Sequence, residues 1–133
     1  MNDSLETKAA VLAAKENSSL PLFVTNAYDE NGKLMTGASP EAMVAMLEGL
    51  KVDALGINCS LGPEKMLPIA EKILRYSSIP VIVNPNAGLP AIRDGKTVYD
   101  VSADGFAHSM KKIAAMIAAL AVCLSLAACS GTG

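Results

Sequence analysis

The chain has 133 residues, a formal net charge of −2 and three cysteines. This length accommodates one domain but not a complete eight-unit barrel, which takes about 250 residues. The scattered basic residues and the few aromatic residues exclude a nucleic-acid-binding surface. Three cysteines in a chain of this length do not form a disulfide framework, and the body of the chain is typical of a cytoplasmic protein in a reducing compartment.

Helical and extended segments alternate along the body of the chain. Helices are predicted over residues 5–15, from Pro40 after the N-cap residue Ser39, from Gly62-Pro63, and over 102–116. Short apolar strands are predicted over 20–25, 52–57 and 79–83, and a loop over 87–97. Uniformly apolar strands are typical of sheets buried on both faces. The pattern therefore predicts an α/β fold built from parallel βα units.

One thiol lies where an apolar strand ends and a helix begins, in Gly-Ile-Asn-Cys-Ser-Leu-Gly-Pro at 56–63. The carboxyl ends of parallel strands carry the chemistry of barrel enzymes. The start of a helix also favours the negative charge of a thiolate. Cys59 is therefore predicted to be a metal ligand or a nucleophile, and a buried, inert cysteine is the alternative. Asn58 and Ser60 either orient such a site or satisfy the backbone of a turn.

A second strand end carries Asn-Pro-Asn-Ala-Gly at 84–88. An asparagine at this position offers an amide oxygen to a metal or a hydrogen bond to a substrate, although the same residues also suit a simple turn. Thr25, Asn26 and Asp29 follow the preceding strand and are candidates for substrate contact, with the turn interpretation stronger for all three. His108 is predicted on the solvated face of its helix. No residue is assigned an acid–base role.

The last segment of the chain differs from the body. From Ile113 to Ala128 there is no charged residue, and a helix over this stretch would be roughly 24 Å long, shorter than the ~30 Å hydrocarbon core of a bilayer. The preceding lysines and the sequence Leu-Ala-Ala-Cys-Ser-Gly at 126–131 resemble a bacterial lipoprotein signal, which normally stands at an N-terminus. We therefore divide the chain into residues 1–112 and an apolar, helical tail at 113–133. The tail would reach a membrane only if it acted as an anchor.

The body of the chain resembles the homocysteine S-methyltransferase family. The resemblance is to the zinc-dependent, homocysteine-binding domain of cobalamin-dependent methionine synthases. It covers most of residues 1–116, and its most specific blocks are the one at 56–63 and Pro-Asn-Ala-Gly-Leu-Pro at 85–90. The other matching blocks lie at 8–16, 20–25, 29–37, 53–55, 80–84 and 94–101.

This resemblance implies a partial (βα)8 TIM-type barrel, with about three to four of the parallel βα units. It also implies methyl transfer to the zinc-activated thiol of homocysteine, which gives methionine. In the family three thiolates hold zinc, and Cys59 matches the first of them. Asn86 matches the asparagine beside the metal, and Asn58 and Thr25 are the other expected substrate-binding residues. The methyl donor, a cobalamin or a folate, would be bound by modules outside this chain.

The chain departs from the family pattern at both ends. The family's first strands, with a substrate-binding acid and a Glu-Thr pair, would precede Met1, so the other barrel half is an expected partner. The family's last strand ends in Gly-Gly-Cys-Cys-Gly-Thr, whereas here Cys123 and Cys129 are six residues apart. A strand would separate them by roughly 20 Å, too far for both to bind one zinc. We therefore expect an incomplete zinc site and weak or no activity of the chain alone.

Three other interpretations are compatible with the sequence. A junction of two unrelated coding sequences near Met110 would explain the unusual tail. A non-catalytic half-barrel that associates with a partner or a membrane through the tail would explain the same feature without catalysis. An aldolase-like lyase is the weakest alternative, because no lysine follows a predicted strand to form a Schiff base.

Overall fold

The structure is a computed structural model that describes the backbone of residues 1–129 and the side chains of residues 1–119. Helices and strands alternate in the first two thirds of the chain, as the sequence predicts. The elements in chain order are α1 (Ser4–Asn17), β1 (Phe23–Asn26), α2 (Pro40–Gly49), β2 (Ala54–Asn58), α3 (Pro63–Tyr76), β3 (Val81–Asn84), β4 (Pro90–Arg93), β5 (Lys96–Tyr99) and α4 (Ala103–Cys129).

Three strands form a parallel sheet in the order β1-β2-β3. In the register, Thr25 pairs with Gly56 across β1 and β2, and Asn58 pairs with Asn84 across β2 and β3. The connections from β1 to β2 and from β2 to β3 return the chain in the same direction, and they contain α2 and α3. The α/β class is thus confirmed, and the arrangement corresponds to part of a βα barrel.

Local signals in the sequence explain where the helices begin. The Oδ1 atom of Asp3 accepts a hydrogen bond from the N–H of Glu6 at the start of α1, at 2.7 Å. The Oγ atom of Ser39 accepts one from the N–H of Ala42 at the start of α2, at 3.3 Å, and Pro40 occupies the first helical position. These side chains satisfy donors that a helix leaves unpaired in its first turn.

The core lies between one face of the sheet and the helices. Alternate strand residues point to this face, among them Val24, Leu55 and Ile57, and all three are buried. The helical residues that pack in the same cluster are Val11, Met43, Val44, Leu47, Met66, Ile69 and Ile73. Burial of these aliphatic side chains is the main stabilising contribution to the fold.

The opposite face of the sheet carries a different set of side chains. Phe23 is 64% exposed on this face, and Thr25 and Asn58 share it by the period-two alternation of the strands. At Gly56, a Cβ atom would lie 1.9 Å from the carbonyl oxygen of Ile82. Glycine is therefore required here for β2 and β3 to approach each other as closely as they do.

The prediction of a loop over 87–97 is wrong, because residues 90–99 form a β-hairpin. β4 and β5 pair antiparallel, with Arg93 opposite Lys96. Asp94 and Gly95 form the two-residue connection and have φ values of 51° and 72°. Positive φ at both positions is the geometry that Asp-Gly favours in a tight hairpin turn. Pro90 is compatible with this strand because the two-stranded sheet leaves β4 at an edge.

The last helix, α4, confirms the predicted helix over 102–116 and its continuation into the apolar tail. It crosses the predicted boundary between residues 112 and 113 without a break, and it packs against α3. Ile113, the first residue of the predicted tail, is only 1% exposed. The division into 1–112 and 113–133 stays a prediction. Within the described residues, no helix combines the length and the apolar character that crossing a bilayer requires.

Candidate functional site at the carboxyl edge of the sheet

The loop after β2 places a free thiol at the carboxyl edge of the sheet. Cys59 follows the last residue of the strand, and its side chain is exposed. Its backbone N–H donates to the carbonyl oxygen of Asn84 at 3.1 Å, which extends the ladder between β2 and β3 by one residue. Cys59 and Ser60 have φ values of 59° and 65°. Two successive non-glycine residues in the left-handed region are strained, and such strain is concentrated at functional sites.

The loop after β3 places a carboxamide beside this thiol. The backbone N–H of Asn86 donates to the carbonyl oxygen of Leu61 at 3.0 Å, so the two loops are joined directly. The Nδ2 atom of Asn86 lies 3.7 Å from the Sγ atom of Cys59. The structure therefore brings together the two residues that the sequence singled out at two different strand ends.

Asn58 lies next to this pair, with its side chain on the face of the sheet opposite the core. It is in register with Asn84, so two amide side chains are adjacent at the ends of β2 and β3. The Oδ1 atom of Asn58 is buried and has no hydrogen-bond partner among the residues that the structure describes. A buried carbonyl oxygen without a partner is an acceptor available to a ligand donor.

Thr25 is not part of the contact between Cys59 and Asn86. It pairs with Gly56, three residues before Cys59, and its carbonyl oxygen accepts a hydrogen bond from the amino group of Met1 at 3.1 Å. Its side chain is half-buried, and Thr25 is among the residues that line a cavity of about 390 Å³ beside α1 and β1. Thr25 therefore lies on the same face as Asn58, but about two residues farther from the carboxyl edge of the sheet.

A second cavity, of about 550 Å³, opens beside the thiol loop. It is lined by residues of the loop after β1 and by the loop after β2, and Tyr28, Lys33 and Ser60 supply polar atoms. Tyr28 is 2% exposed, and its burial, with the nearby Glu41 carboxylate, raises the pKa of its hydroxyl well above the usual range. The hydroxyl therefore stays protonated and can donate a hydrogen bond.

Tyr28 and Lys33 were not among the predicted site residues. Their position in the loop that follows a predicted strand was the available signal, because loops at the carboxyl ends of strands form the site in barrel folds. Asp29, in contrast, serves the loop itself. The backbone N–H groups of Lys33 and Asn31 donate to its Oδ1 atom, and these hydrogen bonds hold the pKa of the Asp29 carboxyl below its usual value.

The described residues offer only part of a metal site. No group of three or more histidine, cysteine, aspartate or glutamate residues lies together within the part of the chain described here. The candidate donors at the edge of the sheet are the thiol of Cys59 and the carboxamide of Asn86. A zinc site with an open position uses three protein ligands, so this donor set is incomplete. Cys123 and Cys129 were expected to supply at most one further ligand, and their side chains lie outside the described residues.

Comparison with known protein sequences identifies relatives of this chain. The family model described as "Homocysteine S-methyltransferase" matches residues 1–133. A methionine synthase from Mycobacterium leprae is 33% identical over 113 residues, which cover 81% of this chain and 9% of that protein. A methionine synthase from Mycobacterium tuberculosis is 32% identical over 113 residues, which cover 81% of this chain and 10% of that protein. The chain therefore spans about a tenth of the length of these relatives.

The family match extends over the whole chain and includes both loops that meet at the edge of the sheet. The resemblance inferred from the blocks at 56–63 and 85–90 is thereby confirmed. This chain belongs to the homocysteine S-methyltransferase family.

Proposed function

We propose that this chain forms part of a domain that transfers a methyl group to the sulfur of homocysteine and so produces methionine. The observation that carries the proposal is the 3.7 Å contact between Cys59 Sγ and Asn86 Nδ2 at the carboxyl edge of a parallel sheet. Parallel barrels place their chemistry at this edge. The two loops in contact are also the two blocks in which the family resemblance is most specific.

In this proposal Cys59 is one ligand of a zinc ion, and the remaining ligands come from residues outside the described part of the chain. Bound zinc would keep the substrate thiol deprotonated near neutral pH, where free thiols are mostly protonated. Cys59 suits this role because its thiol is free, exposed and carried on a loop fixed by backbone hydrogen bonds. A cytoplasmic, reducing location is part of the proposal, because a thiol that binds zinc has to stay reduced.

Substrate orientation is assigned to the amide side chains around the thiol. The Nδ2 atom of Asn86 contacts the Sγ atom of Cys59 directly. The unpaired Oδ1 atom of Asn58 can accept a hydrogen bond from the ammonium group of an amino-acid substrate. Thr25 lies deeper on the same face and is proposed to limit the depth of the substrate cavity. The methyl donor, a corrinoid or a folate, would be presented by other modules of a longer protein, and the other half of the barrel would complete the cavity.

The experiment that tests this proposal measures the protein directly. Because the described donor set is incomplete, the isolated chain should bind zinc only weakly. In an amide correlation spectrum of the ¹⁵N-labelled chain, Zn²⁺ with L-homocysteine in large excess should shift the cross-peaks of Cys59, Ser60 and Asn86. Zn²⁺ with L-methionine is the matched control, because methionine has the same amino-acid groups but no thiol. The shift should be lost in Cys59→Ser, weakened in Asn86→Ala, and retained in Asn84→Ala.

Two outcomes would contradict the proposal. One is a zinc and homocysteine response in Cys59→Ser equal to that of the unaltered chain. The other is the same response to methionine as to homocysteine. The alternative function, a half-barrel that associates through its apolar tail at 113–133, depends largely on side chains from residue 120 onward, which lie outside the described residues.

A further inference from the structure

The chain returns to the candidate site after the β4–β5 hairpin. Residues 90–99 leave the carboxyl edge of the sheet and come back to it, so that Val101 lies against the loop that carries Asn86. The backbone N–H of Val101 donates to the carbonyl oxygen of Ala87 at 3.2 Å. This hydrogen bond closes the hairpin at its base and fixes the residue next to Asn86.

Two glycines leave no space between this returning segment and the loops of the site. At Gly88, where φ is 95°, a Cβ atom would lie 1.9 Å from Asp100 Oδ1 and 3.0 Å from Val101 Cγ2. At Gly62, a Cβ atom would lie 3.1 Å from Val101 Cγ2 and 3.3 Å from the Cα atom of Gly88. Val101 therefore packs between the start of α3 and the loop after β3, with less room than a methyl group needs at either glycine.

We propose that Val101 is a positioning residue that holds the Asn86 carboxamide against the Cys59 thiol. Its N–H fixes Ala87, its side chain packs where Gly62 and Gly88 approach each other, and Gly62 follows the loop that carries Cys59. The proposal rests on the proposed function in one respect only, namely that Cys59 and Asn86 form the site. The hairpin thereby acquires a role, because it returns the chain to the point where both loops can be held.

The physical consequence concerns precision at the site. Backbone hydrogen bonds from Cys59 to Asn84 and from Asn86 to Leu61 tie the two loops together on the side of the strands. Val101 holds the loop after β3 from the side of the returning segment, through its hydrogen bond to Ala87. A site residue held from both sides keeps its distance to a neighbouring group within a few tenths of an ångström, and a displacement of about 1 Å can cost a hundredfold in rate.

The test measures the distance between the two side chains in the full chain by NMR. The nuclear Overhauser effect between the Asn86 side-chain amide protons and the Cys59 β-protons should be strong in the unaltered chain. In Gly88→Ala we expect it to weaken severalfold, because the added methyl group collides with Asp100 and Val101. The double variant Gly88→Ala/Asp100→Ala removes the closest colliding atom but keeps the contact with Val101, so it should recover only part of the signal.

Gly95→Ala is the matched control. Gly95 also has a positive φ, 72°, but a Cβ atom at this position meets nothing within 4 Å. Backbone strain alone therefore affects both variants, whereas the collision at the site affects only Gly88→Ala. A signal equally weakened in Gly95→Ala, or unchanged in Gly88→Ala, would overturn the proposal.

A second pair of variants covers the case in which Gly88→Ala does not fold. Val101→Ala removes the methyl groups that pack on the two glycines, and Val101→Thr keeps the branched shape and the backbone N–H. We expect a weakened signal in Val101→Ala and a retained signal in Val101→Thr, and equal signals in the two would refute the positioning role. Failure here leaves the zinc and homocysteine response of Cys59 unaffected, so the two proposals are tested separately.

Discussion

The Sγ atom of Cys59 and the Nδ2 atom of Asn86 lie 3.7 Å apart, although 27 positions separate the two residues in the chain. The contact results from the parallel register of β2 and β3, which ends both strands at the same edge of the sheet. Two hydrogen bonds beyond the strand ends then hold the loops together. The polar contact is therefore a property of the sheet register and of both loops, and not of either motif alone.

This proximity predicts that a second thiol at position 86 will cross-link to the first. In Asn86→Cys we expect a disulfide with Cys59 under mild oxidation. The side chains at positions 59 and 86 are already in contact, so a small adjustment of both loops would bring the two sulfur atoms to bonding distance. Peptide mapping under non-reducing conditions detects the cross-link. Asn84→Cys is the control, since Asn84 is exposed and, among the described residues, its side chain makes no hydrogen bond to Cys59. Efficient cross-linking of both variants, or of neither, would contradict the site geometry.

Gly56→Ala should destabilise the sheet by about 1 to 3 kcal/mol, because the new Cβ atom would collide with the Ile82 carbonyl oxygen. Urea denaturation measures the free energy of unfolding. Gly49→Ala, at the end of α2, is the matched control, since a Cβ atom there meets nothing within 4 Å. We expect this control to gain about 0.4 to 1 kcal/mol through a less flexible unfolded chain. Equal effects of the two variants would refute the close approach of β2 and β3.

Leu47→Ala should destabilise the fold by about 2 to 5 kcal/mol, because Leu47 is 1% exposed in the core between α2 and the sheet. The loss combines the lost burial of three side-chain carbons with the cavity left behind. Leu5→Ala on α1 is the control, since Leu5 is 75% exposed, and its effect should stay within about 0.5 kcal/mol. Thermal and urea unfolding followed by circular dichroism would compare the two.

Asp29→Asn should lower stability at neutral pH and have less effect in acid. The N–H groups of Lys33 and Asn31 donate to the carboxylate, which lowers the pKa of Asp29 in the folded state below its unfolded value. A lowered folded pKa stabilises the fold above the unfolded value of about 3.9, and this contribution is lost as the pH falls through the folded pKa.

The measurement for Asp29 is a series of urea titrations between neutral and acidic pH. The difference in unfolding free energy between the unaltered chain and Asp29→Asn should be constant near neutral pH and shrink below about pH 4. Glu16→Gln changes the net charge equally on an exposed part of α1 and should leave the stability unchanged. A difference that grows as the pH falls would mean that the hydrogen bonds do not favour the charged carboxylate.

The helices and the parallel strands were predictable because their signals are local. Ser39-Pro40 and the glycine-proline pair at 62–63 mark helix starts by chemistry that operates within one turn. The hairpin at 90–99 was missed although Asp94-Gly95 is a strong turn signal. Pro90 and Asp94-Gly95 together favoured a loop, and both strands of the hairpin are largely exposed. A strand without a buried face leaves little hydrophobic pattern in the sequence.

The sequence by itself determined the alternation of helices and strands, the family, and the two motifs that carry Cys59 and Asn86. Tertiary structure alone decided that these motifs meet, that Thr25 lies deeper and apart from them, and that Val101 returns to hold the second loop. The reason is physical. Capping and hydrophobic periodicity act between residues a few positions apart, whereas the distance between two loops depends on strand register and on side-chain packing between segments far apart in the chain.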